Sequence, residues 1–114
     1  MKPQSCKAKG RNLQKLVRDK LLAAYPELEP DDIRSTPMGV NGPDLQLSPA
    51  ARRAIPFDIE CKARKAIAVI YDALEQAHDP TTSSTALAVV KADRKQPLVV
   101  LPLDDFITIL VSRG

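Results

Sequence analysis

Gly42-Pro43-Asp44-Leu45-Gln46-Leu47-Ser48 and, a few residues on, Ile55-Pro56-Phe57-Asp58-Ile59-Glu60-Cys61-Lys62 are the stretches on which the fold turns. Side chains along a strand alternate between faces, so each segment sorts its residues into two sets. In the first, Asp44, Gln46 and Ser48 share one face and Leu45 and Leu47 the other. In the second, Phe57, Ile59 and Cys61 are expected inward, with Asp58, Glu60 and Lys62 on the polar side. Two neighbouring strands of this kind would bring two carboxylates and an ammonium to one spot. That is a candidate site for a divalent cation and a phosphodiester.

Outward from there, apolar Leu13, Leu16, Val17, Leu21 and Ala24 recur at helical spacing and predict a helix over 12–25, which Pro26 ends. Arg11, Lys15 and Arg18 fall on a different face. Residues 26–43 read as a loop rich in Pro, Gly, Asn and Asp, with a short helical turn expected near 31–34. A connection of this length beside a candidate site suggests a functional role, and Arg34, Ser35 and Thr36 are suited to meeting phosphate. Residues 48–53 suggest a turn or brief helix. A second helix is expected over 64–78, a polar linker over 79–84 and strands at 85–91 and 98–101 about a hairpin turn. A last helix over 105–111 would be capped by Asp104. The order is that of an α/β sandwich around a mixed sheet, with residues 1–9 a disordered basic arm and 10–114 one domain.

Composition narrows the partners. No apolar run approaches the roughly 20 residues of a membrane span, and the N-terminus has no apolar signal core, so an intracellular location is expected. Two cysteines and one histidine make neither a disulfide framework nor a structural zinc site. Net charge is +3, yet residues 1–20 carry seven Lys/Arg against the single Asp19, so the remainder is net acidic. A basic arm and first helix beside an acidic body suit a polyanion.

Pro43-Asp44, then sixteen residues on Glu60-Cys61-Lys62, in helix–strand–strand–strand–helix–strand order, resembles the PD-(D/E)XK nuclease motif. The chain is similar to small phage-type nucleases and the Holliday-junction resolvase branch, over most of residues 9–110. The resemblance implies a restriction-endonuclease-like core of αβββαβ order, with a mixed β-sheet flanked by helices. It implies Asp44 and Glu60 as ligands of Mg²⁺, with Mn²⁺ able to substitute, and Lys62 as the catalytic lysine; the Cys61 carbonyl would add a third oxygen. Lys9-Gly10-Arg11 and Gln14 occupy the first-helix place, where resolvase relatives often carry a glutamate. An amide ligates a cation more weakly than a carboxylate, so Gln14 is expected to act through water. Ala63 stands where many relatives have a polar residue. Lys9, Arg11, Lys15, Arg34, Ser35, Arg64, Lys65 and Gln76 form the expected nucleic-acid-binding set.

The function expected on these grounds is a Mg²⁺-dependent endodeoxyribonuclease acting on branched or Holliday-junction DNA as a homodimer, without a membrane. If phage-encoded, it would work in the cytoplasm of a bacterial host. The alternatives are a phage nicking or DNA-degrading nuclease without junction preference, and an inactive DNA-binding accessory protein. Glu27 is a remote second-metal candidate. Asp58, His78 and the Asp104–Asp105 pair are expected to be structural or solvated.

Overall fold

A computed structural model of the chain describes residues 6–63 and 67–113. Its element order is α1 (Cys6–Ala24), a 3-10 turn (Pro30–Asp32), β1 (Ile33–Ser35), β2 (Leu45–Leu47) and α2 (Pro49–Ala54), followed by α3 (Ala68–Ala77), β3 (Ala88–Val90), β4 (Leu98–Val100) and α4 (Leu103–Ser112). The class is mixed α/β. Where sequence patterning treats 10–114 as one domain, contacts group the chain into two compact units, one up to residue 64 and one from 65 to 113. Among the described residues no helix is long and apolar enough to cross a membrane.

In the first unit, α1 starts earlier than its apolar spacing predicts. Residues 6–9, expected in a disordered arm, are helical because Lys7, Ala8 and Lys9 are good helix formers and only Gly10 interrupts them. Val17 and Leu21 of α1 are buried, whereas Leu16, expected inward, is about half exposed. Tyr25 closes the helix, its N–H donating to the Leu21 carbonyl at 3.0 Å, before Pro26 stops it. The helical turn expected near 31–34 lies at Pro30–Asp32 and leads directly into β1, a strand that alternation over three residues was too short to reveal. β1 pairs antiparallel with β2, Ile33 opposite Leu47 and Ser35 opposite Leu45. Ile33, Leu45 and Ile55 are the largest fully buried side chains, joined in the core by Ala51 and Cys61.

Arg18 couples α1 to this ribbon. Its Nε donates to the Ile33 carbonyl and a terminal nitrogen donates to the Pro30 carbonyl at 2.8 Å. A second latch ties the 3-10 turn to α2. The Ser48 hydroxyl donates to Asp32 at 2.6 Å while its oxygen caps α2 by accepting from the Ala51 N–H at 3.1 Å. Asp32 also accepts from the Glu29 N–H at 2.7 Å. The Ser48 hydroxyl, then the Glu29 N–H, hold its carboxyl below the usual value of 3.8. A group so lowered contributes stability above its unfolded value and loses it as pH falls through the folded one. Ser48→Ala is therefore expected to cost about 1 kcal/mol for the cap at any pH, with an added loss from the Asp32 bond that is present at neutral pH and fades in acid. Urea unfolding across pH checks this, and a gap that fails to narrow in acid refutes the Asp32 contribution.

The strand expected over 55–62 is absent. Pro56 offers no N–H, the Phe57 N–H folds back to the Ile55 carbonyl at 2.9 Å, and the Cys61 N–H goes to a side chain. One backbone bond, from the Asp44 N–H to the Ile59 carbonyl at 2.9 Å, joins this segment to the chain before β2. Phe57, expected inward, is 41% exposed. The alternation survives further on: Cys61 is buried, Glu60 and Lys62 exposed. Among the described residues, strands pair as two separate antiparallel ribbons, and no mixed sheet forms.

The second unit contains α3, the β3–β4 ribbon and α4. The helix expected over 64–78 is described from residue 67 on, with its C-cap at His78, whose N–H meets the Leu74 carbonyl at 3.0 Å. The polar linker is a turn: Asp79 accepts from the Thr81 N–H and hydroxyl at 2.9 and 2.6 Å. β3 and β4 pair antiparallel with Val89 opposite Val99, and Arg94 in their connection takes a φ of 62°. α4 begins before its expected start. The Phe106 N–H bonds to the Pro102 carbonyl, so Asp104 lies inside the first turn and is not the cap. There both Asp104 and Asp105 complement the positive end of the helix dipole. Ala88, Ile107 and Leu110 are buried, while Ile109 is 51% exposed.

Candidate active site

Asp44 precedes β2, its carbonyl accepting from the Thr36 N–H at 2.9 Å while the Thr36 hydroxyl donates to the Pro43 carbonyl. These bonds close the base of the 36–43 loop. At that base the Asp44 carboxylate turns to the second half of the motif, and its Oδ2 accepts from the Cys61 N–H at 2.7 Å. A carboxylate bonded to a backbone N–H is among the stronger hydrogen bonds a protein makes. One side chain thus spans the gap between Pro43-Asp44 and Glu60-Cys61-Lys62.

Glu60 and Lys62 point the same way, as alternation predicts, and meet at 3.4 Å between Glu60 Oε2 and Lys62 Nζ. Their side chains are 54% and 62% exposed, so this pair adds at most about 1 kcal/mol to stability and leaves both groups within reach of a ligand. Cys61 lies between them with its thiol inward. Burial first, then the charges of Asp44 and Glu60, raise its pKa above the usual 9.0. A hard cation such as Mg²⁺ takes oxygen donors, so the group Cys61 offers it is the main-chain carbonyl.

The donor set fits such a cation. Asp44 Oδ1 and Glu60 Oε1 have no protein partner among the described residues, while the other oxygen of each is held. No three His, Cys, Asp or Glu side chains gather about one point among the described residues. Mg²⁺ asks for fewer, since one or two carboxylates with water and phosphate oxygens complete its shell.

A cavity of about 410 Å³ opens beside Asp44. Of the residues expected to act on nucleic acid or in catalysis, Arg11, Gln14, Ser35 and Asp44 line it. Arg11 and Gln14 stand on α1 one turn apart, and Ser35 ends β1. Glu60, Cys61 and Lys62 lie outside its wall, connected to it through the Asp44–Cys61 bond. Lys9 and Lys15 are on α1 and Arg34 on β1 without lining the cavity. Arg64 and Lys65 fall outside the described residues, and Gln76 is exposed on α3 in the second unit. Asp58 pairs with Arg52 at 3.2 Å, in keeping with a structural role. Met38 and Val40 of the loop also line the cavity and were not singled out by residue type. The Gly39 and Gly42 flanking Val40, at φ 85° and 126°, were the available sign that this loop has a defined shape.

Compared with family models, curated proteins and solved structures, the chain finds no match in any of the three.

Proposed function

We propose that the chain is a metal-dependent endodeoxyribonuclease of the PD-(D/E)XK type, with a restriction-endonuclease-like arrangement about Asp44, Glu60 and Lys62. The observation that carries this reading is the 2.7 Å bond from the Cys61 N–H to Asp44, which unites the two halves of the motif beside a cavity walled by Arg11 and Gln14. A bound Mg²⁺ or Mn²⁺ would polarise the phosphoryl oxygen and lower the pKa of an attacking water. Asp44 and Glu60, with the Cys61 carbonyl, would hold that ion. Lys62 orients the water or offsets charge developing on phosphate, and its flexible exposed stem allows it to leave Glu60 when a phosphate arrives. Gln14 donates or accepts a hydrogen bond through water, while Arg11, Lys9 and Lys15 attract the DNA backbone.

Branched DNA is the proposed substrate, cut by a two-fold dimer whose symmetry matches paired scissile bonds. Exposed Leu98 and Val99 on β4 and Ile109 on α4 are apolar groups that a second copy would cover.

Lys62→Ala is expected to reduce cleavage by about 10²- to 10³-fold with binding largely retained. The assay uses four-way junction, fork and linear duplex with Mg²⁺ or Mn²⁺. Full activity in the variant would remove Lys62 from the reaction. Equal cleavage of junction and linear DNA favours a nuclease without junction preference, and binding without cleavage in either metal favours an accessory role.

A further inference from the structure

Met38 is 79% and Val40 51% exposed, two apolar side chains held in water on a loop that packs neither of them away. The loop is nonetheless built: its base is closed by the Thr36 bonds to Pro43 and Asp44, and its course uses the positive φ of Gly39 and Gly42. Met38 and Val40 share a cavity with a cation, Arg11, and with the Gln14 amide. Among the described residues neither the Arg11 guanidinium nor the Gln14 amide has a hydrogen-bond partner.

We propose that this cavity takes a single unstacked nucleotide next to the scissile phosphate, with Met38 and Val40 as the apolar surface against its base. The polymer named rests on the nuclease reading above; the occupant is argued from the wall. A volume of about 410 Å³ falls among small-ligand sites. The guanidinium matches a phosphate in two parallel hydrogen bonds. The Gln14 amide both donates and accepts, as a base edge requires, and the Ser35 hydroxyl does the same for a sugar. Methionine is flexible and polarisable, so it adapts to any base. Arg11 takes a phosphate of that nucleotide, while Asp44 stays with the cation at the scissile phosphate. A paired base must be unstacked to enter, whereas an unpaired one is already free, so the cavity itself favours forks and branches.

The test is made in EDTA, where no cleavage occurs. 2-Aminopurine is placed at the branch point of a forked duplex, and in a fully paired control. Wild type is expected to raise its fluorescence on the fork severalfold and to bind the fork roughly tenfold more tightly than the control. Met38→Ser/Val40→Ser is expected to lose the rise and the preference; both positions are exposed, and an unchanged circular dichroism spectrum verifies the fold. A flat response at saturating DNA, or a rise and preference unaltered in the double variant, overturns the proposal, as it would if the apolar lip served a protein partner. Cleavage is read separately with Mg²⁺. A nuclease with a flat response fails here alone, and a protein that unstacks DNA yet never cuts it fails only the preceding reading.

Discussion

Asp44→Asn is expected to lower metal-dependent cleavage by about 10³-fold and leave the fold nearly unchanged, while Asp44→Ala loses both activity and stability. The carboxylate has two tasks that these variants separate. Its charge serves the cation, and Oδ2 accepts the Cys61 N–H at 2.7 Å. Asparagine keeps an oxygen for that N–H and gives up the charge. Alanine gives up both, leaving a part-buried donor without its partner at a cost of about 1–3 kcal/mol. Cleavage rates and urea unfolding on the same pair of variants make the comparison. Activity in Asp44→Asn within tenfold of wild type would remove Asp44 from the cation site, and equal stability of the two variants would make the Cys61 bond unimportant.

Ile33→Ala is expected to destabilise the first unit by about 2–5 kcal/mol, a large share of the 5–15 kcal/mol typical of a domain. Ile33 is 0% exposed, and it belongs to a strand of only three residues. So short a ribbon has few ladder bonds, and the core beneath it carries the pairing with β2. Loss of the side chain removes apolar burial and leaves a cavity that the surrounding core would fill only in part. Val99→Ala, at a position 60% exposed, is the contrast and should change stability by no more than about 0.5 kcal/mol. Urea unfolding measures both; an Ile33→Ala cost below about 1 kcal/mol would show that the core does not depend on β1.

What could be read from the residues follows the strength of their local signals. Repeated apolar spacing located α1, and Pro26 marked where it stops. Alternation located β2 and correctly set Glu60 and Lys62 on one side, and apolar runs about a hairpin turn located β3 and β4 to within a few residues. It failed at 55–62, where the same alternation holds without a ladder, because Pro56 and the Asp44 side chain consume the bonds a strand would make. β1 escaped because Ile33–Ser35 is shorter than any period that pattern can establish. The Asp44–Cys61 link was foreseeable as proximity but not as a hydrogen bond, since it depends on the chain turning between two elements. Cys61 was correctly placed inward from one apolar position.

Arg18, grouped by charge with the cations of α1, is bound to two carbonyls of the segment opposite. Those bonds fix more than distance. A helix lying on a ribbon can still roll about its own axis, and each residue of slip would turn it by about 100°. Two donors of one planar group meeting carbonyls three residues apart resist that roll. Gln14 and Arg11 lie four and seven positions before Arg18, one and two turns back along the same stripe. The guanidinium of Arg18 therefore acts as an indexing pin: it sets the azimuth of α1, and with it the direction in which two side chains remote from any carbonyl clamp are aimed.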